Sequence, residues 1–157
     1  MTSFLKGVLV VSLLSLTVGA SSPNGAQQSR PKPSERFPFA YVQNDCGPTD
    51  GSALTFYATL QPSKRGQYDA PYIRMSIIKD LPQSAPRDYP LGSGSNVLAS
   101  RCLKSGPCDA PVSGNLHLSK FNSGKSASGD FRLQFKDGSL EEGSFNATWY
   151  VYRFVCG

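Results

Sequence analysis

Hydrophobic residues alternate with polar ones through most of the chain, a period of two that is typical of half-buried β-strands. Two weaker runs cover residues 37–43 and 96–102, and a last run extends from Phe145 to Cys156. The clearest alternations give four sets of residues that would each share one face: Leu54, Phe56, Ala58 and Leu60; Ile73, Met75 and Ile77; Leu116 and Leu118; Phe131, Leu133 and Phe135. The pattern predicts about seven strands, and nothing after residue 36 reads as a long amphipathic helix.

The connections between these runs are rich in Gly, Pro, Asn and Ser, at residues 46–52, 80–95 and 122–129. Many short strands separated by turn-forming residues favour an antiparallel arrangement. We therefore predict an all-β domain, a single antiparallel β-sandwich or small β-barrel of about seven to eight strands. The sequence leaves the choice between sandwich and barrel open.

Asp137-Gly138 is a strong signal for a two-residue hairpin turn, since Gly accepts positive φ and Asp tolerates it. Such a turn would set Phe135 opposite Leu140 and keep two apolar residues together. Continued in that register, the hairpin would direct Glu142 into the core, where an unpaired carboxylate is costly.

One extra residue near Glu142-Gly143 would remove this conflict, because Phe131 would then lie opposite Phe145. We therefore predict a β-bulge at this position, where glycine is favoured. Glu141 and Glu142 would then both lie on the rim of the hairpin, paired with nearby cations.

The last run carries two different faces. Phe145, Ala147, Trp149 and Val151 would point inward, whereas the alternating positions become aromatic toward the end of the strand. This outer face either is covered by the rest of the protein or forms an aromatic platform for sugars or protein partners. The candidate ligand-binding residues are Tyr150, Tyr152 and Trp149.

The chain begins with a segment typical of a secretory signal, with one cation at Lys6, an apolar run and small residues near Ala20. Residues 1–20 are predicted to be a cleaved signal peptide. Residues 21–36 contain Pro, Ser, Gly, Gln and charged side chains, which predicts a disordered tether. The remaining residues 37–157 form one domain, secreted or periplasmic, with no membrane span after signal cleavage.

Four cysteines in an exported chain predict two disulfides. The pair Cys102–Cys108 brackets a short stretch with Gly and Pro that can turn back on itself, which leaves Cys46–Cys156 to join the two ends of the domain. A zinc site is disfavoured because the chain has one histidine and no Cys-x-x-Cys motif.

The charge of +5 for the whole chain is concentrated outside the domain. Four of the 16 basic residues and one of the 11 acidic residues precede Phe37, so the domain carries a net charge of about +2. Its cations are scattered among anions, which argues against nucleic acid as a partner.

Few residues are candidates for catalysis. His117 is the sole imidazole and has no Gly-x-Ser-x-Gly motif nearby, and the alternation puts it on the polar face of its strand. The carboxylates that could serve glycoside hydrolysis are those of Asp130, Asp137, Glu141 and Glu142. We expect no cofactor and no metal, and the sequence leans against an enzyme.

In size, export and strand number the domain resembles the lipocalins, which carry small apolar ligands in a β-barrel, although the Gly-x-Trp of their first strand is absent. That resemblance implies a cavity lined by residues such as Phe39, Phe56, Met75, Phe131 and Trp149. The leading expectation is instead a non-catalytic binding or structural module. Its partner, whether a protein, a glycan or a small apolar ligand, is not indicated by the sequence. A secreted hydrolase is the third alternative.

Overall fold

The protein is described from a computed structural model, which covers residues 37–49, 51–63, 66–151 and 156. The predicted signal peptide, the predicted tether and Tyr152 lie outside these residues. The described part contains eight β-strands and no helix, as the alternation predicts. The strands are β1 (Phe39–Cys46), β2 (Ser52–Thr59), β3 (Tyr72–Ile77), β4 (Arg87–Leu91), β5 (Val97–Cys102), β6 (Pro111–Asn122), β7 (Ser126–Phe135) and β8 (Leu140–Trp149).

All eight strands belong to one sheet, in the order β4-β6-β7-β8-β1-β2-β3-β5. Neighbouring strands are antiparallel except for β1 and β8, which run parallel. The two edge strands, β4 and β5, follow each other in the chain and lie close together, so the sheet curls into a nearly closed barrel. The structure thus confirms the all-β fold and favours the barrel over the sandwich.

The barrel interior is filled by the residues that the alternation assigned to one face. Phe56, Met75 and Phe131 are only 1–2% exposed, and they belong to one continuous apolar cluster. Trp149 is partly buried at the edge of this cluster and packs against Phe121, with 6.1 Å between ring centroids. Phe39, by contrast, is 38% exposed and does not line the interior.

Strand β4 lies within residues 80–95, which the sequence assigned wholly to a connection. That prediction was wrong because residues 80–95 contain several prolines. Pro cannot donate a hydrogen bond to a neighbouring strand and usually indicates that a strand is absent. Pro90 is tolerated because β4 is an edge strand that pairs with β6 alone. The buried side chains of Tyr89 and Leu91 show that β4 also covers one side of the core.

The β7–β8 hairpin has a three-residue turn, not the predicted two-residue turn. The Phe135 amide donates to the Ser139 carbonyl at 2.9 Å, and the Gly138 amide donates to the Phe135 carbonyl at 3.0 Å. Gly138 adopts a φ of 82°, the left-handed conformation that closes three-residue hairpins. The extra residue therefore lies in the turn.

Because the turn already shifts the register, β7 and β8 pair without interruption and the predicted bulge near Glu142-Gly143 is absent. Phe131 lies opposite Gly143, and Leu133 lies opposite Glu141. Glu141 is consequently on the inner face and 7% exposed, so its predicted rim position is wrong.

Two other predictions for the hairpin and β8 have separate outcomes. Glu142 does lie on the outside, where its carboxylate is 3.7 Å from the Arg132 guanidinium. Val151 was predicted to face inward but is 84% exposed, because β8 ends at Trp149.

Gly129 allows β6 and β7 to approach each other closely. A Cβ atom at this position would overlap the carbonyl oxygen of His117 and lie 3.1 Å from the ring of Phe145. We predict that Gly129→Ala lowers the free energy of unfolding by about 2 kcal/mol, since both strands must shift. Gly51→Ala, with no atom within 4 Å of the added Cβ, is the control. Urea unfolding measures both, and equal midpoints would contradict the prediction.

Candidate functional site

Five of the seven tyrosines lie together on the outside of the barrel. Two of them come from adjacent strands, since Tyr41 on β1 is the cross-strand partner of Tyr57 on β2. This tyrosine face comprises Tyr41, Tyr57, Tyr68, Tyr72 and Tyr150. It covers the outer side of β1, β2 and β3 and the residue that follows β8.

The rings of the tyrosine face contact one another in a chain. Tyr68 stacks on Tyr57 with 3.8 Å between centroids and 12° between planes, and it lies 5.8 Å from Tyr41. Tyr150 meets Tyr41 edge to face at 6.5 Å, and Tyr72 meets Tyr57 in the same way at 5.9 Å. Such pairs stabilise a fixed arrangement by about 1 kcal/mol each beyond area burial.

Hydrogen bonds hold the segment between β2 and β3 against this face. The Tyr68 hydroxyl donates to the Gln43 side-chain oxygen at 2.9 Å, and the Ser63 amide donates to the Tyr41 hydroxyl at 2.9 Å. Burial raises the pKa of Tyr68, and the nearby phenol of Tyr57 raises it further. The Tyr68 phenol is therefore uncharged at neutral pH and acts as a hydrogen-bond donor to Gln43.

The three predicted ligand-binding residues do not form one cluster in the described structure. Tyr150 is part of the tyrosine face, whereas Trp149 lies on the other side of the strand against Phe121. Tyr152 lies outside the described residues. The sequence thus pointed to the aromatic character of this region, but it missed the contributions of β1, β2 and residue 68, which come from distant parts of the chain.

A second concentration of functional groups lies at the end of the barrel where β5 ends and β7 turns into β8. Arg101 points inward from β5, and its side chain is only 7% exposed. Its guanidinium lies 2.9 Å from Asp137, 3.4 Å from Asp109 and 3.5 Å from Glu141. The same group lies over the Phe135 ring, 4.1 Å from its centroid.

This Arg101 cluster joins parts of the barrel that the sheet leaves unpaired. Arg101 also donates to the Ser139 hydroxyl at 2.7 Å, which connects β5 to the β7–β8 turn. The backbones of Arg101 and Asp109 exchange two hydrogen bonds of 2.8 Å beside the Cys102–Cys108 disulfide. Alternation along β5 places Val97, Ala99 and Arg101 on one face, a signal that would have predicted this buried cation.

Asp137, one of the candidate carboxylates, is unsuited to general acid catalysis. Hydrogen bonds from the Ser139 hydroxyl and amide, and then from Arg101, lower the pKa of Asp137 to about 2. A glycosidase acid needs a raised pKa to hold its proton at neutral pH. Asp137 is instead ionised throughout the physiological range.

His117 is engaged on the polar face of β6, where the alternation places it. Its Nδ1 lies 2.9 Å from an oxygen of Asp88, which also accepts a hydrogen bond of 3.0 Å from Asn115. Both contacts lower the pKa of Asp88, and the hydrogen bond from Asn115 has the larger effect. Among the described residues no group of three or more His, Cys, Asp or Glu is placed to hold a metal ion.

The fold and the two disulfides define the class of this protein: a disulfide-bonded, all-β domain with one barrel-like sheet. Within the part of the chain that the structure describes, no helix is long and apolar enough to cross a membrane. Comparison with known proteins finds no matching family model, no matching curated protein and no matching solved structure.

Proposed function

We propose that this protein is an exported, secreted or periplasmic, non-catalytic binding domain that recognises a protein partner through its tyrosine face. The observation that carries the proposal is the concentration of five tyrosines on one outer face. Tyr and Arg are enriched where protein interfaces have their largest binding energies, and Arg74 adjoins the tyrosines on β3. The two disulfides are consistent with an oxidising compartment.

The way the rings pack favours a protein over a glycan. Sugars bind tyrosine by lying flat on an open ring face. Here the face of Tyr57 is covered by Tyr68, and Tyr41 is contacted by both Tyr68 and Tyr150. The surface combines half-buried tyrosine rings with the Arg74 side chain, which is 42% exposed and pairs with Asp45, and this suits the polar and apolar mixture of a protein interface.

The filled interior makes a carrier role the weaker alternative. Phe56, Met75 and Phe131, which would line a lipocalin-like cavity, are 1–2% exposed and pack in the same cluster. A carrier would have to open this cluster to admit a ligand, at a cost of the order of several kcal/mol for lost packing.

The proposal is tested by site-specific photo-cross-linking in the native host. A benzophenone amino acid replaces Tyr72 on the tyrosine face or, as the control, Ser119 on the opposite polar face. We expect one discrete cross-linked protein from position 72 and none from position 119. Identical products from both positions, or no product from either, would reject the proposal.

The captured protein is then purified and its affinity measured by calorimetry. Tyr72→Ala and Tyr150→Ala should each weaken binding by about tenfold or more, the loss expected for residues near the centre of an interface. Ser119→Ala should leave the affinity unchanged. A thermal melt of each variant confirms that the domain is still folded, so a loss of affinity cannot be ascribed to unfolding.

A further inference from the structure

Strand β8 carries the one Asn-x-Ser/Thr triplet of the chain, Asn146-Ala147-Thr148. This triplet is the acceptor pattern for N-linked glycosylation in exported proteins. Alternation along β8 places Asn146 and Thr148 on the outer side, where both are exposed, whereas Ala147 between them is buried in the core. The acceptor pattern therefore lies on the surface of the folded barrel, although it is part of a strand.

The surroundings of Asn146 leave room for a bulky substituent. On β7, its cross-strand partner is Ser128, and the partner of Thr148 is Ser126, so only short side chains lie on that side. The Asn146 side chain makes no hydrogen bond with another residue of the described part of the chain. A group attached to its Nδ2 atom would therefore displace no existing partner.

The other side of Asn146 is apolar. Strand β1 runs parallel to β8, with Tyr41 opposite Thr148. Two residues earlier on each strand, Phe39 and Asn146 share the same outer face. Phe39 is 38% exposed, and its ring stacks on no other aromatic ring among the described residues. An open aromatic ring beside an acceptor asparagine is a surface on which a sugar ring can pack.

We infer that Asn146 carries an N-linked glycan whose first sugar packs on Phe39. In the transfer, a bond forms between C1 of the sugar and Asn146 Nδ2, which loses one proton. The bond from C1 to the diphosphate of a lipid-linked oligosaccharide breaks, and the lipid diphosphate leaves with the electron pair. The inference rests on the exported location in the proposed function, since donor and transferase act on exported chains.

The glycan would border the tyrosine face without covering it. Tyr150 lies four residues beyond Asn146, about 13 Å at the rise of a β-strand. Tyr72 lies three strands away from β8, about 14 Å at the spacing of strands in a sheet. Recognition of a protein partner through the tyrosine face is therefore compatible with the modification.

The test is the intact mass of the exported protein, purified from its native host. We expect a mass excess made up of whole sugar residues, which peptide-N-glycosidase removes. The enzyme converts the acceptor asparagine to aspartate, so tandem mass spectrometry of the digested protein should find aspartate at position 146.

Two matched variants assign the modification to the triplet. Thr148→Ala should abolish the mass excess although Asn146 is still present. Thr148→Ser preserves the acceptor pattern and should retain the excess. A mass excess that persists in Thr148→Ala, or an aspartate at another asparagine position, would overturn the inference.

The remaining outcomes separate this inference from the proposed function. An exported protein without sugar would overturn the inference alone, since binding through the tyrosine face needs no glycan. A protein retained inside the cell with residues 1–20 intact would overturn both.

The contact with Phe39 has its own measurement, the melting temperature before and after enzymatic removal of the glycan. Removal should lower the melting temperature of the parent protein by about 3 °C, the shift expected for loss of one aromatic contact in a domain of this size. In Phe39→Ala the two melting temperatures should agree within about 1 °C. Equal shifts in the parent and in Phe39→Ala would overturn the packing of the sugar on Phe39.

Discussion

Arg101→Met is expected to lower the free energy of unfolding by roughly 3–5 kcal/mol, the cost of breaking a buried ion pair from one side. The substitution keeps most of the side-chain volume but removes the guanidinium that faces the buried carboxylate of Glu141 at 3.5 Å. It also removes the contacts from β5 to Asp137, Ser139 and the Phe135 ring. Urea unfolding, followed by fluorescence of the single tryptophan, measures the loss.

Two further variants show whether burial is the cause. Arg132→Met removes a cation that is 71% exposed and pairs with Glu142 at 3.7 Å, so we expect a change below about 1 kcal/mol. Combining Arg101→Met with Glu141→Leu should recover much of the stability, since no buried charge then remains at this position. Equal losses for Arg101→Met and Arg132→Met would contradict the interpretation.

The second large effect concerns the disulfides. Replacing both Cys46 and Cys156 by Ser should cost about 4–5 kcal/mol, because this bridge closes a loop with a sequence separation of 110. Replacing Cys102 and Cys108 should cost about 2 kcal/mol, since their separation is 6. A domain of this size is typically stable by about 5–15 kcal/mol, so the first loss is a large share of the total.

The measurement is urea unfolding of the two double-serine variants beside the oxidised parent protein. The order of the midpoints is the decisive result, because in the chain-entropy model the bridge that closes the longer loop removes more entropy from the unfolded chain. If the variant without the short bridge were the less stable of the two, the chain-entropy explanation would be wrong for this protein.

The sequence predicted the fold where one local pattern was sufficient. The period of two identified seven of the eight strands, and the short Gly- and Pro-containing stretch between Cys102 and Cys108 selected the disulfide pairing that the structure confirms. It failed at β4, where Pro90 looked like a strand breaker and only the sheet order shows that the strand is an edge. Edge position is a property of the whole fold and cannot be read locally.

The β7–β8 hairpin shows the same limit. A buried glutamate looked like an error to be corrected by a bulge, because the partner that makes its burial tolerable, Arg101, comes from β5 and 40 positions earlier in the chain. The tyrosine face also depends on long-range pairing, which brings Tyr41, Tyr57 and Tyr150 together from three separate strands or their ends. Sequence patterns showed the chemistry of these residues but not their neighbours.

The parallel pairing of β1 with β8 has a consequence for how the protein is made. Val42 on the first strand pairs with Trp149 at the end of the last strand, so the sheet is completed by contacts between the earliest and latest described elements. Domains dominated by such non-local contacts fold slowly, in milliseconds to seconds. A growing chain leaves β1 without this neighbour until β8 has been synthesised, so the sheet is completed only after all eight strands are available.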